Sequence, residues 1–153
     1  MIQVEVQNVF RSPGQPDKRQ IQQWVDAVLH AISRDTEIVV RIVDVQESAQ
    51  LNKQYRHKPG PTNILSFPAQ IPDGVGLNLL GDLVICAPVV QREAMEQEKL
   101  LINHWAHLIV HGVLHLLGFD HIDEDEAELM ENMEINILQK LNISNPYLEA
   151  SNE

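Results

Sequence analysis

His111-Gly112-Val113-Leu114-His115-Leu116-Leu117-Gly118-Phe119-Asp120-His121 is the stretch from which the rest of the chain can be read. On a helix, His111 and His115 are four residues apart and project from one face, so two imidazoles can reach one ion. Gly118 follows directly. Glycine tolerates the left-handed conformation that ends helices, so the chain can break there and swing back. His121 then approaches the same ion from outside the helix. Three neutral imidazoles with an open fourth position, where water can sit, make a catalytic zinc site.

This spacing matches the long metallopeptidase signature H-E-x-x-H-x-x-G-x-x-H at every fixed position but one. Gly112 stands where a peptidase carries its general-base Glu. The metal cage is therefore expected without the peptidase's proton acceptor. A helix with scattered polar residues is the plainer reading. Three histidines at ligand spacing, with glycine at the turn, argue against it.

Around the motif, 153 residues suffice for one domain with a real core. No apolar run approaches the length of a membrane span, and the first residues lack the basic and apolar regions of a signal peptide. The single cysteine, Cys86, cannot form an internal disulfide, so a cytoplasmic, reducing setting is expected. The net charge of -11 argues against a general nucleic-acid-binding surface. Acids crowd between Asp120 and Glu134, while Lys53, Arg56 and Lys58, with His57, form the densest basic cluster. A local basic groove could still bind RNA, weakly and with strong salt dependence.

The helix bearing the motif is expected over Glu98 to Leu117, apolar nearly all round, hence central and most buried. After it, Asp123 caps an acidic helix start that leads to Met130, Met133, Ile137, Leu138 and Leu141. Upstream, Ile2, Val4 and Val6 alternate with polar residues as in a half-buried strand. Asp17 can cap a helix whose apolar face runs from Ile21 through Trp24, Val25, Val28 and Leu29 to Ile32. Glu37 to Val43 reads as an inner strand. Asp44-Val45-Gln46-Glu47 resembles a capping box opening a helix to Arg56, stopped by Pro59-Gly60-Pro61. Asn63 to Phe67 is a short strand, put at an edge by Pro68. Gly81 to Cys86 is another strand, and Pro88 suits the first turn of a helix reaching about Gln97. The fold class is thus α+β: a small mixed four-stranded sheet packed with about five helices. One domain is expected over residues 1–143, with 144–153 a polar, flexible tail.

The chain resembles the YbeY family, the bacterial rRNA maturation factors described as single-strand-specific endoribonucleases. Three segments carry the resemblance: Leu51 to Lys58 followed by Pro61-Thr62-Asn63-Ile64-Leu65-Ser66-Phe67-Pro68, then Gly81 to Cys86, then His111 to His121. It implies one zinc ion on His111, His115 and His121, with Arg56 in the cleft beside it. It also implies a role in maturing the 3′ end of small-subunit rRNA and in ribosome quality control. The partners implied are single-stranded rRNA and the small ribosomal subunit with its proteins, with no membrane and no DNA.

Arg56 would hold the scissile phosphate by forked hydrogen bonds, although a surface arginine at a helix end reads equally well from sequence. Lys53, His57 and Lys58 are candidate RNA contacts, or simply a solvated helix end. His107 could donate to a carboxylate that supports a ligand, but packing in the helix is the commoner role, and His104 is weaker still. Asp82 is read as structural. Asp120 or Asp123 could engage a ligand imidazole, with Asp123 equally an N-cap. Cys86, Met130 and Met133 are read as core residues. Three functions compete: a zinc-dependent endoribonuclease, a metallopeptidase-like hydrolase opposed by Gly112, and a non-catalytic assembly factor stabilised by zinc. Three histidines without an obvious fourth ligand favour catalysis.

Overall fold

The alternating N-terminus forms strand β1 (Ile2–Asn8) in the computed structural model of the chain, which describes residues 2–30, 35–69, 79–120 and 123–147. Helix α1 (Lys18–Leu29) follows, opened by a full capping box. The Gln20 N–H donates to the Asp17 carboxylate at 2.8 Å, and the Asp17 N–H donates to Gln20 Oε1 at 3.0 Å. Ile21, Trp24, Val25 and Leu29 are buried, and Ile32 lies outside the described residues. Strand β2 (Thr36–Val43) leads into α2 (Val45–Arg56). Here only half of the expected box forms. Asp44 accepts from the Glu47 N–H, while the Glu47 side chain turns to the Arg41 guanidinium, a stronger charge-assisted partner.

Strands β3 (Ile64–Pro68) and β4 (Leu79–Cys86), then α3 (Ala87–Glu96), α4 (Leu101–Leu116) and α5 (Glu124–Lys140), complete the chain. The motif helix starts later than its composition suggests. Glu98 takes a left-handed φ of 54°, and the chain turns there before α4 begins. Likewise α2 is stopped by left-handed His57 (φ 58°), two residues before the Pro-Gly-Pro run.

The sheet order is β1-β2-β4-β3, with β1, β2 and β4 parallel and β3 antiparallel at one edge, where Pro68 can be tolerated. Period-two alternation assigns β4 to two cores. Leu83 and Ile85 join Ile38, Val40 and Ile42 under α1 and α4, whereas Val84 and Cys86 meet Leu65, Val89 and Leu51 on the other face. Helix α4 carries Trp105, Ile109, Val110, Val113 and Leu114 into the larger core, all nearly inaccessible. Each such side chain contributes about 1.5–3 kcal/mol by burial. Met130 is buried in the same core, with Met133 packed against it, and Cys86 is buried and unpaired, as a small core residue would be. None of the helices among the described residues is long and apolar enough to cross a membrane.

Candidate active site

Helix α4 is apolar except for Asn103 and one row of histidines. His104, His107, His111 and His115 are spaced by three, four and four residues, so they share one face. The helix ends as the glycine predicts. Gly118 (φ 101°) donates to the His115 carbonyl at 3.0 Å, and the Phe119 N–H reaches the Leu114 carbonyl at 3.1 Å. This paired closure satisfies carbonyls that the last turn would leave open.

At that end the rings of His111 and His115 meet edge to face, 4.5 Å between centroids, with their Nε2 atoms 3.0 Å apart. On its other side His111 Nδ1 donates to Glu134 on α5. An ionised carboxylate only accepts, so the proton of the neutral His111 ring sits on Nδ1 and Nε2 carries its lone pair. A nitrogen pair at this separation is held together by a shared proton or by a cation. Two nitrogens bound tetrahedrally at about 2.0–2.1 Å from zinc stand roughly 3.3 Å apart, so the pair fits two arms of such a site. His121, the expected third arm, lies outside the described residues, as does any group that would include it. Among the described residues no set of three candidate ligands forms.

Glu134 was not legible as a site residue. It is wholly buried, and burial alone would push its carboxyl up. Hydrogen bonds from His107, His111 and Tyr147 outweigh that and hold it down at about 2. Burial and the same carboxylate push the Tyr147 phenol well up, so its hydroxyl stays a donor. The sequence did carry a signal. Met130, Glu134 and Leu138 are spaced by four, so an acid stands in the middle of an apolar row.

Arg56 reaches the site because of how α2 is anchored. Ser48, Asn52 and Arg56 are spaced by four; the first two are buried and Arg56 is exposed at the end of the row. Ser48 Oγ accepts from the Thr62 N–H and donates to the Thr62 carbonyl, each at 3.0 Å, and Asn52 Nδ2 donates to the Gly60 carbonyl at 2.9 Å. These bonds tie the helix to the loop ahead of β3. Arg56 then lines a cleft of about 650 Å³ together with Tyr55, Phe67, His111, His115 and Asp120. Tyr55 is exposed at the mouth and stacks edge-on against Phe67, 5.1 Å between centroids.

The other basic candidates go elsewhere. Lys53, His57 and Lys58 line a second groove, of about 560 Å³, with Ala49, Pro59 and Gly60. Gly112 also has a packing explanation. A Cβ there would stand 2.7 Å from Ile64 Cδ1 and 2.8 Å from Leu83 Cδ2, so position 112 packs tightly against β4 and against β3, whose Ile64 also lines the cleft. His107 Nε2 donates to Glu134 at 3.3 Å, and His104 pairs with Glu93 at 3.0 Å. Glu93 also accepts from Asn63 at 3.1 Å, which fixes the start of β3. Asp123 caps α5 through the Glu126 N–H. Asp82 sits in β4 opposite Phe67, outside the cleft lining.

Comparison with known proteins follows the same outline. A family model described as Endoribonuclease YbeY matches residues 6–142. Among curated proteins, the Endoribonuclease YbeY of Colwellia psychrerythraea is 59% identical over 138 residues, covering 88% of this chain and 89% of its own. That of Methylococcus capsulatus is 54% identical over 153 residues, covering 100% of both. The solution structure of a Thermotoga maritima protein superposes with a TM-score of 0.59 at 21% identity, covering 97% of this chain and 99% of that one. This last likeness concerns the fold alone.

Proposed function

The chain belongs to the YbeY endoribonuclease family, and on that premise we propose that it is a zinc-dependent endoribonuclease that cuts single-stranded RNA in the cytoplasm. Its proposed task is maturation of the 3′ end of small-subunit rRNA, with ribosome quality control as the wider setting and the small subunit and its proteins as partners. The observation that carries this reading is the single cleft that joins Arg56 to the His111–His115 pair. His111, His115 and His121 would hold the ion. When bound, zinc lowers the pKa of its water towards neutrality and polarises a phosphoryl oxygen.

The chain's own residues do the rest. Arg56 donates forked, charge-assisted hydrogen bonds to the scissile phosphate and stabilises the charge that builds on it, which offsets the absence of a base at position 112. The exposed face of Tyr55 gives an unpaired base a surface to stack on, which favours single strands over duplex. Lys53, His57 and Lys58 serve as weaker phosphate contacts further along the strand. A peptidase would need a carboxylate at position 112, where even a Cβ would crowd Ile64 and Leu83.

Cleavage of a labelled single-stranded fragment of the rRNA 3′ end tests the proposal, with wild type, Arg56→Ala, His111→Ala and His121→Ala compared and bound zinc measured for each. The expected pattern is cutting by wild type, zinc without cutting for Arg56→Ala, and loss of both for the histidine variants. Equal cutting by all four would point to a contaminating nuclease and sink the assignment. No cutting by zinc-loaded wild type would favour a non-catalytic assembly factor.

A further inference from the structure

Glu134 is an odd residue to find at the centre of an apolar row. A buried carboxylate is costly unless fully partnered, and a well-packed apolar side chain of similar size often serves stability equally well. Here the partners come from two separate parts of the chain. Oε1 accepts from His111 Nδ1, while Oε2 accepts from the Tyr147 hydroxyl and from His107 Nε2 at 3.3 Å. Tyr147 lies beyond the end of α5, so the carboxylate joins α4 to the segment that follows α5. Tyr147 also packs edge-on against His107, 5.4 Å between ring centroids, and stands 3.3 Å from its Nε2.

We infer that Glu134 is a positioning residue for the metal-holding His111, and that Tyr147 and His107 are the clamps that hold Glu134 in place. Glu134 fixes the proton of His111 on Nδ1 and sets the ring so that Nε2 faces His115. A ring free to place its proton on Nε2 would have to lose it before holding a cation. Such outer hydrogen bonds make a ligand imidazole more basic and orient it. The segment after α5 thereby acts on the site without touching it. This inference rests on the reading of His111 and His115 as cation ligands.

The test uses the full-length chain and two readouts, neither of which is activity. The first is zinc affinity, by competition with a chromogenic chelator. Glu134→Gln should weaken zinc binding about ten- to a hundred-fold, Tyr147→Phe less, and Glu134→Asp should recover part of the loss. Glu131→Gln, which removes the same charge from an exposed position on α5, should leave the affinity as in wild type. The second readout is the imidazole ¹⁵N spectrum of the metal-free protein, where wild-type His111 should show the Nδ1–H tautomer and Glu134→Gln a shift towards Nε2–H. Should Glu134→Gln fail to fold, Tyr147→Phe supplies both readouts. Wild-type affinity and an unchanged tautomer in these variants would overturn the inference. Zinc affinity in wild type that His111→Ala leaves untouched would instead overturn the underlying ligand assignment, and the tautomer would still report on Glu134.

Discussion

Two neighbouring rows of helix α2 meet very different surroundings. Ser48, Asn52 and Arg56 share one row: buried Ser48 and Asn52 are hydrogen-bonded to the loop that precedes β3, and exposed Arg56 ends the row in the cleft with His111 and His115. Ala49, Lys53 and His57 run one position over and end, with Lys58, in a separate groove. In the sequence these basic residues form one cluster. A helix rotates about 100° per residue, so a shift of one position separates the cleft of His111 and His115 from the second groove. Closeness in sequence says little about a shared site until the anchored row is known.

The largest effect expected from this division is on cleavage. Arg56→Ala should lower the single-turnover rate on a single-stranded RNA by about a hundred-fold or more, the range typical of losing a donor to developing charge. Lys53→Ala or Lys58→Ala should change it only a few-fold and reduce the salt dependence of binding by about one ion. Comparable losses at Lys53 and Arg56 would merge the two grooves into one functional surface.

Gly112 offers the next contrast, since it lies on α4 beside the histidine row but faces the sheet. Gly112→Ala should gain about 1 kcal/mol in helix propensity and lose about 1–3 kcal/mol by crowding Ile64 and Leu83. The expected net result is a modest fall in urea midpoint with zinc binding retained. A rise in midpoint would show that the contact between α4 and the sheet is looser than described.

Glu93 tests the cleft wall. Burial raises its carboxyl, but hydrogen bonds from His104 and Asn63, with the nearby charge of Arg92, bring it below its ordinary value of 4.5. A depressed carboxylate contributes stability above its unfolded value and loses it as pH falls through the folded one. Wild type should therefore exceed Glu93→Gln in stability at pH 6, and the gap should close as pH falls below the ordinary value of 4.5 and through the depressed one. Chemical denaturation across that range reads it directly, and a constant gap would contradict the assignment.

The smallest effect sits at the outer row's end. His57 adopts a left-handed φ of 58°, which strains any residue with a Cβ. His57→Gly should raise stability by up to about 1 kcal/mol, measured by thermal melting. Cleavage should stay within a few-fold if His57 is only a peripheral contact.

Much of this architecture was legible in the sequence. A period-two run marked β1, apolar runs marked β2 and β4, Pro68 placed β3 at the edge, and Gly118 marked the end of α4. What was hidden depended on partners far away in the chain. Glu47 could be recognised as a box residue but not as the partner of Arg41, since that choice is made between side chains across β2 and α2. Glu134 looked like one more acid on an acidic helix until α5 was packed against α4. Gly112 could be read as a missing base, but its reason, the approach of Ile64 and Leu83, is a tertiary one. The proposed roles of the histidines rest on spacing and resemblance and that of Arg56 on resemblance, and the cleft adds the geometry that makes them testable together.

The central claim is that a single ion at the end of α4 makes this chain a nuclease. Its most direct test is to strip the protein with a chelator and add zinc back in measured steps while following cleavage of a single-stranded RNA. Cleavage absent from the stripped protein and rising to a plateau at one zinc per chain is the predicted result. Full cleavage by protein shown to hold no metal would contradict the claim.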